Sequence, residues 1–354
     1  MSNFQGIPLS VLDTVPVWHG SSATESVRGA LDLAVAVERL GYRRYWVAEH
    51  HNQPGVAATA PAILIGHLAG RTSRLRIGSG GVMLPNHPPL VVAEQFGTLE
   101  ALYPGRIDLG IGRAPGTDPA TARALRRATG PNAAAEFPAH LQELLDYFGL
   151  AQAGSGHGGI QALPADENEV PVWVLGSSGE SAQLAGRLGA GYAFAHHFNP
   201  SATVASLDIY RRSFRPSAQF AQPYAVVAAV GIAADTQEHA EFLAGPLGVA
   251  FALSLRGINR PFPSAAMAAE IQVPVSSDEA TMMQQVLGPQ LIGSPEQLKQ
   301  QLEALVDATG LDELMLHTMI QDPAERVRSY ELFAELLGSA SREPAVVAQA
   351  AETA

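Results

Sequence analysis

The chain contains no cysteine. Disulfides, thiolate nucleophiles, iron–sulfur clusters and thiolate zinc sites are thereby excluded, and cysteine usage carries no signal of redox compartment. Basic residues are also scarce: 22 Lys plus Arg stand against 34 Asp plus Glu, a formal net charge of −12. A field of that sign repels nucleic-acid phosphates, and no Lys/Arg stripe overrides it, so no nucleic-acid partner is expected. No uninterrupted apolar run approaches the roughly 18 residues that suggest a bilayer span. Residues 1–5 lack a basic segment leading into an apolar one, so the expectation is a soluble, cytoplasmic protein with no membrane partner. There is no HExxH spacing. The GxGxxG pattern occurs at Gly154-Ser155-Gly156-His157-Gly158-Gly159, but it follows a helical pattern and opens no good helix, so it reads as a flexible loop.

What is present suits a full core: 354 residues with 47% hydrophobic content. Apolar strand-like runs alternate with helical patterns, the mark of a parallel sheet with crossover helices. The strands are read at Ile7 to Leu12, Tyr45 to Ala48, Leu75 to Gly78, Ile107 to Ile111, Val172 to Leu175, Tyr192 to Ala195, Ala225 to Ala234 and Glu313 to His317. Helices fit after each, opened by Ser22 or Thr24 in the first unit, and running from Pro61 to Arg71 in the second and from Ala324 to Leu337 in the last. Eight alternating units favour a closed (β/α)8 TIM barrel, because closure leaves no edge strand to protect. One domain over residues 1–338 is expected. It includes an insertion after the seventh strand at about 238–293, followed by a Pro295 to Thr309 helix, and residues 339–354 read as a disordered tail.

Ionisable groups collect where these strands end, which is where α/β enzymes keep their chemistry. Glu49-His50-His51 follows the second strand. Adjacent residues there point in different directions, so a metal site is not favoured; either Glu49 and one His tie down neighbouring loops by hydrogen bonds, or the cluster contacts a ligand, with histidine the side chain suited to proton transfer near neutral pH. Ser79-Gly80-Gly81 leaves the third strand either as a tight turn or as a place where a flat ligand approaches the backbone. Arg113 ends the fourth strand and could form a surface ion pair or grip a phosphate through its planar fork. Gly176-Ser177-Ser178-Gly179-Glu180-Ser181 opens a helix with free amides and hydroxyls, an anion-type site that pairs naturally with Arg113. His196-His197 could contact substrate or hydrogen-bond within its own loop. His317, isolated, carries less weight. In the insertion, Phe251, Leu255, Phe262, Met267, Met282 and Met283 could build an apolar cavity or pack a dimer interface equally well.

The ordered series Trp46-Val47-Ala48-Glu49-His50-His51, Ile77-Gly78-Ser79-Gly80-Gly81-Val82-Met83-Leu84-Pro85, Ala93-Glu94-Gln95, Gly105 to Arg113 and Pro171 to Ser178 resembles the bacterial luciferase-like flavin-dependent monooxygenases. The resemblance implies a barrel that binds reduced FMN at its C-terminal mouth and uses O2, through a flavin C4a-hydroperoxide, to oxygenate a small organic substrate. A separate NAD(P)H:flavin reductase and a homodimeric assembly are implied with it. The matching positions make His50 the acid/base residue and place Glu49 beside the flavin. They set Gly80-Gly81, with Ser79, where the family holds a non-prolyl cis peptide under the ring. Arg113, Gly176, Ser177, Ser178 and Ser181 match the phosphate grip, and His51 is assigned to structure. No metal is implied. Luciferases carry a reactive cysteine just before the matching arginine, whereas this chain has Gly112, so light emission is not carried over. Two rivals stand beside this reading: a deazaflavin-dependent dehydrogenase on the same barrel, and a non-catalytic flavin-binding protein.

Overall fold

The computed structural model describes residues 3–114, 116–125, 136–149 and 159–338. Most of the GxGxxG string and the 339–354 tail lie outside the described residues. Eight strands form the ring: β1 Leu9–Asp13, β2 Arg44–Val47, β3 Arg76–Ser79, β4 Ile107–Gly112, β5 Val172–Gly176, β6 Gly191–Ala195, β7 Ala225–Ala233 and β8 Glu313–His317. Each pairs in parallel with the next, and β8 returns to β1 with Val11 opposite Leu316, so the barrel closes. All eight lie within a residue or two of the positions read from the apolar runs.

Alternation along the strands builds two layers of core, because successive side chains point to opposite faces. On β2, Tyr45 and Val47 face the helices and join the large outer cluster, while Trp46 points inward with Leu12, Trp173, Val226 and Met315. Trp46 and Trp173 pack edge to face with centroids 5.5 Å apart, a geometry favoured by the ring quadrupoles. Below them, where Arg44, Asp108 and Glu313 begin their strands, the interior is ionic. Arg44 sends Nε to Glu313 at 2.9 Å and Nη1 to Asp108 at 2.7 Å, with its guanidinium 4.6 Å from the Trp173 ring. Arg76 adds a 2.7 Å contact to Asp108. Burial alone would raise the Asp108 carboxyl; the two arginines outweigh it and hold the group well below the usual carboxylate range. This plug closes the end of the barrel opposite the strand-end residues named above.

Helices begin where local chemistry directs. Ser22 caps Ala23–Arg39 with a reciprocal bond to Glu25, and Pro61 and Pro295 occupy first-turn positions that need no amide donor. The sequence reading missed three features. Residues 238–293 are largely helical, with Gln237–Ser254, Ala265–Glu270 and Ser277–Leu287. Two short strands, Val82–Met83 and Leu291–Gly293, extend the ends of β4 and β7. A helix Pro119–Ala124 follows β4. Most are short, and Gln237–Ser254 is nearly uniformly apolar, so periodicity gives little signal; Ser277–Leu287 did carry a legible start in its Ser276 and Glu279 capping box.

Candidate active site

The strand ends of β2, β3, β4, β5, β6 and β8 converge on one mouth. Glu49 sits there fully buried, yet it faces the chain more than any opening. Its Oε2 accepts from the Met83 amide at 3.0 Å, and its Oε1 accepts from Nε2 of both His51 and His87 at 2.8 Å and from Asn86 at 3.3 Å. Burial pushes the carboxyl up, but these donors, His87 foremost, reverse the shift and keep it below its ordinary value. Glu49 therefore acts through the 83–87 loop that it ties to β2, and His51 serves as one of its ties. His87, not singled out in the sequence, belongs to this cluster.

His50 differs. Its backbone amide donates to the Ala58 carbonyl at 2.8 Å, but its Nδ1 is buried with no hydrogen-bond partner among the described residues. Burial first, with His51 adding to it against the pull of Glu49, lowers its pKa. A neutral imidazole with an unsatisfied buried nitrogen has a proton or a lone pair to offer a ligand at the mouth.

The Gly80–Gly81 peptide is cis. A Cβ on Gly81 would stand 2.7 Å from the Gly110 carbonyl oxygen, and one on Gly80 would stand 2.7 Å from Leu12, so the segment lies flat over the barrel interior only because both side chains are absent. The Ser79 hydroxyl donates to the Gly110 carbonyl at 2.8 Å and accepts from its amide at 3.0 Å. That side chain is wholly engaged between β3 and β4, so Ser79 can contribute to a cofactor cradle only through its backbone.

On the neighbouring rim, Arg113 reaches Glu180 at 3.0 Å, which brings the β4 loop against the first turn of helix Gly179–Leu188. Both side chains are well exposed, at 48% and 79%. The Ser181 hydroxyl, by contrast, turns back onto the Ser178 carbonyl at 2.8 Å and Tyr192 at 3.1 Å. Gly176 permits this, since a Cβ there would sit 1.9 Å from the Ser181 Oγ. Ser181 and Gly176 are thus braces of the loop, while Ser177 and Ser178 are half-buried at the rim with no side-chain bond among the described residues, and Ser178 occupies the N-cap without capping.

The sequence left His196 and His197 open between substrate contact and hydrogen bonds within their loop; the structure separates the two residues. His196 is buried with Nδ1 on Thr203 at 2.8 Å and Nε2 on the Pro289 carbonyl at 3.1 Å, so both nitrogens are engaged. His197 and His317 instead line a cavity of about 400 Å³, their rings 5.6 Å apart. Residues of the 238–293 segment cover it, among them Phe251 of helix Gln237–Ser254 and Phe262 of the connection that follows; Leu255, Met267, Met282 and Met283 are not in its lining. His317, given less weight in the sequence because it stands alone there, closes β8 and joins His197 at this cavity.

Burial first, with His196 and His50 adding to it, pushes the His197 pKa down to about 4; burial, with His197, Arg326 and His50, pushes that of His317 to about 3. An unfolded histidine titrates near ~6.5, so below that pH the unfolded chain takes up protons that the folded chain refuses. Stability is therefore full above that value and declines as pH falls toward the folded pKa values. Thermal melts should show a falling Tm between neutral pH and about pH 5, with each ring contributing about 1–2 kcal/mol. His317→Gln should flatten the slope. A Tm independent of pH over this window would contradict the burial of these rings as neutral groups.

A closed parallel barrel with cationic and imidazole groups gathered at one mouth defines the (β/α)8 class with its site in the usual place. The chain belongs to the luciferase-like monooxygenase family, whose model matches residues 7–313. It is 49% identical over 329 residues to the uncharacterized protein YvbT of Bacillus subtilis, covering 93% of this chain and 96% of that one. It is 45% identical to a luciferase-like monooxygenase of Escherichia coli, covering 92% and 96%. Among solved structures it resembles apo-MsnO8, with a TM-score of 0.85 at 35% identity over 96% of this chain and all of that one. Two more distant structures share the fold. One is the oxygenating constituent of 3,6-diketocamphane monooxygenase from Pseudomonas putida, in complex with FMN, with a TM-score of 0.70 at 20% identity over 95% of this chain and 97% of that one. The other is an F420-dependent secondary alcohol dehydrogenase, with a TM-score of 0.67 at 14% identity over 95% and 99%.

Proposed function

We propose that this protein is an FMN-dependent monooxygenase that oxygenates a small organic substrate with O2, receiving reduced FMN from a separate NAD(P)H-driven reductase. The observation that carries the reading is the Arg113–Glu180 contact, which puts a guanidinium beside the open amides of a helix N-terminus and the uncapped Ser177 and Ser178 hydroxyls. That donor set fits a phosphate, and the orphaned Nδ1 of His50 and the side-chain-free Gly80–Gly81 segment fit a flat polar ring. Family membership supports the same cofactor.

Bound reduced flavin supplies the electrons that activate O2. The chain's own part is positional and protonic. Arg113 exchanges Glu180 for the phosphate at little cost, because an exposed ion pair contributes about 0–1 kcal/mol. Glu49 holds the 83–87 loop to β2, the helices after β7 shield the mouth from water, and His50 accepts and returns a proton at Nδ1.

Arg113→Ala should weaken FMNH2 binding about tenfold or more, the loss of a charge-assisted bond pair. Anaerobic calorimetry with reduced FMN and, in parallel, a reduced deazaflavin measures this. Absence of heat with FMNH2 would sink the proposal, and binding of the deazaflavin alone would replace it with hydride-transfer chemistry.

A further inference from the structure

The cavity beneath helices Gln237–Ser254 and Ser277–Leu287 has apolar walls, Val230, Leu247, Phe251 and Phe262 among them, broken by the imidazoles of His197 and His317. Its volume, about 400 Å³, lies in the range of small-molecule sites. The Ala228 carbonyl can only accept, so Nδ1 of His197, 2.8 Å away, carries the ring proton. Nε2 is then a lone pair with no hydrogen-bond partner among the described residues, on a ring that lines the cavity. Nothing deep in the chamber answers an anion. Burial keeps both rings neutral near pH 7, and Arg260, the cation in the lining, is exposed at the rim. A carboxylate drawn inside would lose its water without gaining a charged partner.

We propose that this chamber binds an uncharged, largely apolar molecule bearing a hydroxyl group, and that Nε2 of His197 is the specificity-determining acceptor for that hydroxyl. Identifying this molecule as the oxygenation substrate rests on the monooxygenase reading; its binding does not. His50, at the end of β2, and His317, at the end of β8, stand at the same mouth of the barrel, so a molecule held here shares that mouth with the proposed proton carrier.

The test is calorimetric titration of the full-length protein, without flavin, at neutral pH, with para-butylphenol, para-butylanisole and para-butylbenzoate. The phenol should bind about tenfold tighter than the anisole, one buried hydrogen bond's difference, and the benzoate weakest. His197→Asn keeps a donor for the Ala228 carbonyl but withdraws the Nε2 acceptor. It should bring the phenol to the anisole's affinity, leaving the anisole within about threefold. Phe251→Trp, on the covering helix, should weaken both together. Equal affinity of phenol and anisole for the natural protein, preference for the benzoate, or no heat from any of the three at millimolar concentration would overturn the proposal. The ranking by the natural protein decides even if His197→Asn does not fold. Failure of FMNH2 to bind, with the phenol preference intact, would remove the substrate assignment and leave the binding site standing.

Discussion

Arg44→Leu should cost this protein about 3–5 kcal/mol of stability, the usual consequence of removing one partner from a buried ion pair. Arg44 is 4% exposed, and its two carboxylate partners are wholly buried. Asp108 would keep Arg76 at 2.7 Å. Glu313 would be left with the neutral donors Ser10 and Tyr224, and with Arg43 at 3.8 Å, itself 32% exposed. The damage therefore concentrates on Glu313, and a second substitution should relieve it. Arg44→Leu combined with Glu313→Met removes one charge of each sign and leaves Asp108 paired, so the double variant should recover more than half of the loss. Guanidinium unfolding of the natural protein, both single variants and the double variant measures the coupling. A loss below about 1 kcal/mol for Arg44→Leu would mean that water reaches the barrel floor.

His50→Ala should lower turnover by about 10²–10⁴-fold, the range for loss of a positioned proton-transfer group. Affinity for FMNH2 should stay within about threefold, because the phosphate grip lies on other loops. The assay couples the protein to a flavin reductase with NADH and FMN and follows product from a panel of alkylphenols. The contrast with Arg113→Ala is diagnostic: one variant loses the cofactor, the other keeps it and loses the chemistry. Unchanged turnover in His50→Ala would make this residue a structural histidine despite its unpaired Nδ1.

The barrel was legible because its strands are buried on both faces. Such strands appear as short apolar runs, separated by helical patterns with capping residues at Ser22 and prolines at Pro61 and Pro295. The residues at their ends could be named for the same reason: a polar group after a buried strand stands at the mouth. Which atoms of those residues remain available was not legible. Glu49 and Ser79 carry the right chemistry at the right positions, but hydrogen bonds to the Met83 amide and the Gly110 backbone engage their side chains. Those partners lie 34 and 31 residues away, a separation over which pattern reading has no reach.

His196 and His197 make the division plain. Sequence alone determined that two imidazoles follow β6 and that the chain lacks thiols and a membrane-length apolar run. The tertiary structure decided that His196 turns to Thr203 and Pro289, that His197 turns to Ala228 with Nε2 left over, and that His317 from the far end of the chain joins it. The physical reason is that residue type sets which protons and lone pairs a side chain has, whereas packing against distant segments sets which of them are already satisfied.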